Sequence, residues 1–212
     1  IIKCIKKMII KEIQGIRSLA VILILFFHLS IPYFELGYLG VDIFFIISGF
    51  IFTKIILKST KTKSFSIEQY LRRRVLRLFP ALFVTLFLVT LLGWLFYTPL
   101  EFKYYGQSLF GSSLFMSNIY FYILQNDYFS PSNYSLLHLW SLSLEVQFYV
   151  LFPLLILFVN KFKHFKKNRN LIIFFIFIIS FYINVFFSND EKFIFYFLPN
   201  RLWEFLFGYF IY

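Results

Sequence analysis

Cysteine is almost missing from this chain of 212 residues, which has Cys4 and no other. A single thiol has no partner within the chain for a disulfide and cannot supply the cysteine cluster of a structural metal site. The sequence therefore excludes a scaffold held by internal disulfides, and it gives no reason to expect a bound metal.

Acidic residues are also scarce, with 10 Asp and Glu against 21 Lys and Arg and a net charge of +11. Such an excess can indicate a nucleic-acid partner, but 60% of the residues are hydrophobic and the mean hydropathy is +0.76. Several apolar runs are long enough to cross about 30 Å of hydrocarbon. The composition predicts an all-α, polytopic transmembrane bundle in a lipid bilayer, without a nucleic-acid partner.

A signal-peptidase site is missing after the first apolar run. The basic N-terminus and the apolar run that follows it are typical of a signal peptide, but LSIPYFELG after His28 has no small-x-small pattern. We therefore expect an uncleaved first span. Because the chain begins with Ile1, we also expect that its N-terminus is incomplete or trimmed.

The basic residues fall into three clusters, which lie up to Arg17, between Lys54 and Arg77, and between Lys161 and Arg169. Placing all three in the cytoplasm puts the N-terminus inside and requires that 105–124 does not cross the membrane. The Gly, Ser, Asn and Gln residues of that segment favour a re-entrant or interfacial helix. The predicted spans are 17–35, 38–57, 78–97, 138–159, 171–187 and 194–212.

Arg17 and His28 belong to the first predicted span. Eleven residues of α-helix separate them by about 16 Å along the axis but by only about 20° around it, so they share one face. With Arg17 at the membrane surface, His28 lies near the middle of the bilayer. An ionisable side chain at that depth is a functional hypothesis by default.

Asp42 and Ser48 lie on the second predicted span, which a short turn joins to the first. The two helices should therefore be antiparallel neighbours. Ser48 and the adjacent Gly49 are small enough for close helix packing. Ser48 is a possible nucleophile, although packing explains it more simply.

Four arginines precede and enter the third span in RRRVLRLFP, among them Arg74 and Arg77. They can anchor the helix at an anionic leaflet, or they can bind phosphate groups, whose oxygens match the guanidinium fork. The spacing alone leaves both interpretations open.

His138, Ser141, Glu145 and Tyr149 recur every three or four residues, so they share one helix face. Ser141 is a second possible nucleophile that hydrogen bonding explains more simply. A carboxylate in an apolar span needs a cation, a hydroxyl or a water-filled cavity as partner, and this applies to Glu145.

Arg201 and Glu204 are three residues apart on the last predicted span. At this spacing the two side chains can pair with each other on one helix. We therefore expect a structural ion pair.

In order along the chain, these motifs resemble those of acyltransferase family 3, which includes bacterial O-antigen and other polysaccharide O-acetyltransferases. The matching elements are Arg17-x10-His28, GYLGVDIFFIISGF, RRRVLRLFP, HLWSLSLEVQFYVLFP and RLWEFLFG. The resemblance implies transfer of an acyl group, usually acetyl, from acyl-CoA to a hydroxyl of a cell-surface or lipid-linked glycan at the bacterial inner membrane. Because family members have more membrane helices, we expect this chain to be an N-terminal portion of the domain.

The resemblance also suggests roles for individual residues. His28 acts as general base, and Asp42 or Glu145 orients the imidazole or the acceptor. The coenzyme A phosphates are assigned to Arg17, Arg74 and Arg77. Residues expected to support the substrate or the structure are His138, Ser141, Ser48, Arg201 and Glu204.

Two alternatives remain open at this point. One is a glycan transporter or flippase, in which intramembrane His, Asp and Glu side chains form a proton or substrate path. The other is an inactive fragment that only binds a partner subunit. The acceptor is open as well, since lipopolysaccharide, capsule and peptidoglycan are all compatible with the motifs.

Overall fold

The computed structural model describes residues 11–62, 65–124, 135–187 and 189–212. Within these ranges the regular structure is helical and contains no strand, which confirms the all-α prediction. Cys4, the lysines before Lys11 and most of the polar stretch at 125–134 lie outside the described residues. The helices are α1 Lys11–His28, α2 Gly40–Lys61, α3 Ile67–Phe96, α4 Pro99–Ser113, α5 Ser117–Leu124, α6 Leu139–Lys161, α7 Lys163–Lys167, α8 Arg169–Phe186, α9 Glu191–Tyr196 and α10 Leu198–Ile211, with a 3-10 turn at Glu35–Leu39.

Four of the described helical segments are long and apolar enough to cross a membrane: Glu35–Thr60, which contains all but the last residue of α2, and helices α3, α6 and α8. They overlap the predicted spans 38–57, 78–97, 138–159 and 171–187, although α3 begins at Ile67, well before the predicted start at residue 78. The match supports a multi-pass membrane protein. The total of six spans stays a prediction.

The first and last predicted spans are shorter as helices than the sequence suggested. Helix α1 ends at His28 and not at residue 35. The backbone turns at Ser30 and Tyr33, which have φ of 52° and 71°, and Pro32 disfavours helical backbone in the residue before it. The segment 194–212 is interrupted at Phe197, which is extended with φ −98° and ψ 133°.

Segment 105–124 is not one helix. Helices α4 and α5 are separated by a turn at Phe115, which has a φ of 55°. A capping box starts α4: the Thr98 hydroxyl accepts from the Glu101 amide, and the Glu101 carboxylate accepts from the Thr98 amide at 2.8 Å. These hydrogen bonds from Thr98 hold the pKa of the exposed Glu101 carboxyl below its usual range. That segment 105–124 does not cross the membrane stays a prediction.

The chain forms two compact units, of which the first comprises Ile1–Ile55 and Glu204–Tyr212 and the second Ile56–Trp203. In the first unit, α1 packs directly against the 3-10 turn and the start of α2. A Cβ atom added at Gly40 would lie 2.6 Å from the Ala20 carbonyl oxygen, and one at Gly37 would collide with the Leu23 carbonyl oxygen. The predicted contact between the first two helices is therefore confirmed.

Helices α2 and α10 also meet through glycine in the first unit. A Cβ atom at Gly49 would collide with the Phe205 carbonyl oxygen, and one at Gly208 with the Ile46 carbonyl oxygen. Alongside, the rings of Phe45 and Phe205 stack with centroids 4.5 Å apart. The packing role predicted for Gly49 is confirmed, and Gly208 is its counterpart on α10.

We expect Gly49→Ala and Gly208→Ala each to lower the free energy of unfolding by about 1–3 kcal/mol, because an added methyl group must push two backbones apart. The measurement is the unfolding midpoint of the purified protein in detergent. Gly15→Ala is the matched control, since a Cβ there meets nothing within 4 Å, and it should be neutral or slightly stabilising. Equal midpoints for all three variants would contradict the close approach.

In the second unit, the side-chain amides of the buried Asn118 and the half-buried Gln147 join the α4–α5 hairpin to α6 and α9. The Gln147 side-chain nitrogen donates to the Asn118 side-chain oxygen at 2.9 Å and to the Phe115 carbonyl at 3.2 Å. The Asn118 nitrogen donates to the Tyr196 carbonyl at 3.0 Å. Hydrogen bonds of buried groups are costly to lose in an apolar interior, so they fix the position of the hairpin against α6 and α9.

Candidate active site

Arg17 and His28 lie on one unbroken helix, α1, so their spacing of eleven residues places both on the same helix face. The half-buried Arg17 guanidinium lies 5.5 Å from the centre of the Phe44 ring on α2. Attraction between the cation and the aromatic face holds Arg17 against the neighbouring helix.

His28 is the last residue of α1 and is exposed. Its neighbour Phe27 is the residue that faces the 3-10 turn, with its ring 5.8 Å from that of Tyr38. The side chain of His28 is therefore exposed in the described part of the chain, because the helix ends there. Its depth in a membrane stays a prediction.

The first unit contains five of the predicted site residues: Arg17, His28, Asp42, Ser48 and Glu204. Asp42 is half-buried in the first turn of α2, where a carboxylate is favoured by the helix dipole. Ser48 is 3% exposed, in agreement with a packing role, and Glu204 is completely buried on α10. The small unit thus combines a cation, an imidazole and two carboxylates.

In the second unit, Arg74 on α3 lies between two tyrosine rings. The centre of its guanidinium is 5.4 Å from the Tyr70 ring and 5.9 Å from the Tyr149 ring on α6. The Tyr149 hydroxyl donates a hydrogen bond to Glu145, whose charge also acts on Arg74. Both tyrosines are only 5% exposed. We call these four residues the Arg74 cluster.

The Arg74 cluster shows how the Glu145 carboxylate is accommodated in an apolar helix. Of the three possible partners, the structure provides a hydroxyl, Tyr149, and a cation, Arg74. From the sequence, Arg74 was expected to bind coenzyme A phosphates and Glu145 to orient the imidazole or the acceptor. Tyr70 was missed, although its position four residues before Arg74 puts the two on one helix face.

Arg77 is exposed, one turn beyond Arg74, and the positive charges of the two side chains repel each other. Such a pair of guanidinium groups is favourable for a bound anion, which would relieve the repulsion. Arg73 instead donates to Gln69 at 3.2 Å. Binding of phosphate by Arg74 and Arg77, and anchoring of the helix at an anionic leaflet, both stay predictions.

His138 and Ser141 lie at the start of α6. His138 is exposed, and the Ser141 hydroxyl donates to the His138 carbonyl at 3.1 Å, a local helix bond that agrees with the simpler interpretation of this serine. The Arg201 guanidinium lies 5.2 Å from the centre of the Phe195 ring. Its pairing with Glu204 stays a prediction.

A profile of the acyltransferase domain family matches residues 10–212, and so spans every described helix. The chain belongs to this acyltransferase family. The resemblance drawn from the five sequence motifs is thereby confirmed.

Relatives of this acyltransferase chain include two proteins named as O-acetyltransferases and one uncharacterized protein. It is 34% identical over 204 residues to O-acetyltransferase OatA of Staphylococcus aureus, covering 92% of this chain and 33% of the relative. It is 34% identical over 169 residues to peptidoglycan O-acetyltransferase OatA of Listeria monocytogenes, covering 77% and 26%. An uncharacterized protein of Haemophilus influenzae is 35% identical over 154 residues, covering 70% and 62%.

The chain spans about one third of the length of the Staphylococcus aureus relative. No solved structure gives a significant match. In this member of the acyltransferase family, the motifs Arg17-x10-His28 and GYLGVDIFFIISGF lie in the first unit, whereas RRRVLRLFP and HLWSLSLEVQFYVLFP lie in the second.

Proposed function

We propose that this chain serves a membrane O-acetyltransferase, which transfers an acetyl group from acetyl-CoA to a hydroxyl group of a cell-surface glycan. The observation that carries the proposal is the common face of Arg17 and His28 on an unbroken helix in a chain of the acyltransferase family. The names of the two OatA relatives support acetyl as the transferred group and O-acylation as the reaction.

His28 acts as the general base in this proposal. Its neutral imidazole takes the proton of the acceptor hydroxyl, and the oxygen attacks the thioester carbonyl of acetyl-CoA. The carbon–sulfur bond then breaks, the coenzyme A sulfur leaves as thiolate, and the new ester bond joins acetyl to the glycan. Imidazole is the side-chain group whose unperturbed pKa suits proton transfer near neutral pH. Asp42, in the same unit, orients the imidazole or the acceptor.

Arg74 and Arg77 bind the phosphate groups of the donor. Glu145 and Tyr149 hold Arg74 in place, so that its planar guanidinium keeps one orientation towards phosphate oxygens. The exposed Arg77 adds the second positive charge. Placing these arginines at the cytoplasmic side, together with the N-terminus, brings them to the compartment in which acyl-CoA is made.

Peptidoglycan is the first acceptor to test, because the Listeria monocytogenes relative is named for it. Lipopolysaccharide and other polysaccharides, which the motif resemblance also suggested, are the comparison acceptors. All of them present sugar hydroxyls to an inner-membrane enzyme.

The test is transfer of labelled acetyl from acetyl-CoA to purified glycans by membranes that contain the full-length protein. Labelled glycan that depends on the protein supports the proposal. No labelling by a correctly inserted protein on its native glycans would overturn it. Movement of glycan across the membrane without any need for coenzyme A would favour the transporter alternative.

A further inference from the structure

A groove of about 580 Å³ lies between α4 and α5 in the second unit. Phe110, Ile123 and Leu124 line its apolar part, and Phe110 and Ile123 are 69% and 70% exposed. Side chains of this kind are suited to an alkyl chain and have no covering element among the described residues of the hairpin. None of the residues that line the groove is acidic.

The polar part of the groove contains Lys103, Gln107 and Tyr120. The Tyr120 hydroxyl makes long hydrogen bonds to the Tyr104 carbonyl at 3.3 Å and to the Gln107 side-chain oxygen at 3.5 Å. Because the Gln107 oxygen faces Tyr120, its NH2 group is the part that can donate to a ligand. Beside the Lys103 ammonium group, this arrangement favours an anionic acceptor such as a phosphate.

Gly106 keeps the groove open. It lies in the interior of α4, where glycine is less favourable than alanine, yet a Cβ atom added there would meet nothing within 4 Å. Gly111 on the same helix differs, because its Cβ would lie 3.2 Å from the Tyr120 Cβ, so that packing explains it. Among the described residues, no contact requires glycine at position 106, and a larger side chain there would reduce the space in the groove.

The groove follows closely on the end of a membrane span. Helix α3 ends at Phe96, and Lys103 comes seven residues later. Exposed aromatic residues surround this point, with Trp94 at 71%, Phe96 at 77% and Tyr104 at 43% exposure. Of these residue types, Trp and Tyr concentrate at the level of the lipid headgroups.

We propose that the groove between α4 and α5 binds one anionic glycerophospholipid. The headgroup phosphate contacts Lys103 and Gln107, and an acyl chain lies along Phe110, Ile123 and Leu124. The positive charge of Lys103 complements a negative headgroup, the apolar side chains of the groove match an acyl chain, and the groove lies near the end of a membrane span. The inference does not depend on the proposed acetyl transfer, because its readout is bound lipid.

The experiment counts lipids retained by the purified full-length protein in native mass spectrometry. The probes are phosphatidylglycerol and phosphatidylcholine with identical acyl chains. We expect retention of phosphatidylglycerol, reduced about fivefold by Lys103→Gln, as for one basic residue near an anionic surface. Gly106→Leu, which fills the groove, should reduce retention of the same lipid to the level of phosphatidylcholine.

The matched controls are Lys161→Gln, an exposed lysine at the end of α6, and Gly15→Leu, the other helical glycine with nothing near its Cβ. Both should retain phosphatidylglycerol like the unmodified protein. Equal retention of the two lipids, or retention that neither Lys103→Gln nor Gly106→Leu reduces, would overturn the proposal. Unchanged unfolding midpoints show that each variant is folded.

Discussion

Acetyl transfer by His28→Ala is expected to fall about 10²–10⁴-fold, which is the usual contribution of a positioned general base. Alanine cannot accept the hydroxyl proton, so the attacking oxygen keeps it until the transition state. The measurement is the initial rate of labelled acetyl transfer from acetyl-CoA by the full-length protein. Because His28 is exposed at the end of α1, its replacement should leave the unfolding midpoint close to that of the unmodified protein.

Two further measurements separate a proton-transfer role from a structural one. Added imidazole should restore part of the activity of His28→Ala, since a small base can enter the space that the side chain leaves. His164→Ala, an exposed histidine on α7, is the matched control and should retain full activity. Near-normal turnover by His28→Ala would remove His28 from the mechanism and, with it, the main support for a base on α1.

The membrane helices could be predicted from sequence because a long apolar run leaves few alternatives in a bilayer. Where such runs were clear, as in α2, α3, α6 and α8, the structure has helices at the expected places. The end of α1 was missed because hydropathy continues past His28, whereas the backbone turns at Ser30 and Tyr33. The backbone conformation of the turn sets this end of α1, and hydropathy does not predict that conformation.

Helix periodicity likewise predicted which residues share a face but not which helices face each other. Glu145 and Tyr149 were expected on one side of α6, and the need of Glu145 for a partner was clear. That Arg74 supplies the charge depends on how α3 and α6 pack, and these helices are far apart in sequence. The sequence has no glycine at position 115, where the helix breaks. The sequence therefore did not distinguish two short helices from one re-entrant helix.

The Arg74 cluster yields the second large effect: Glu145→Ala should lower the free energy of unfolding by about 1–3 kcal/mol, because the buried Tyr149 hydroxyl loses its acceptor. Arg74 contributes less to this loss, since the charge of Glu145 is the weakest of those that act on the half-buried guanidinium. The variant leaves the guanidinium near two tyrosine rings without its carboxylate. Unfolding of the purified protein in detergent measures the loss, and a free energy equal to that of the unmodified protein would contradict the pairing.

The double variant Arg74→Met with Glu145→Gln separates packing from donor binding. Both charges are removed, while the amide oxygen that replaces the carboxylate can still accept from the Tyr149 hydroxyl, so stability should return to within about 1 kcal/mol of the unmodified protein. Donor binding should not return, because the phosphate-binding guanidinium is gone, and KM for acetyl-CoA should stay high. If the double variant regains both stability and KM, Arg74 is only structural and the phosphate assignment passes to Arg77. If stability returns while KM for acetyl-CoA stays high, Arg74 binds the donor, and Glu145 and Tyr149 hold its side chain in position.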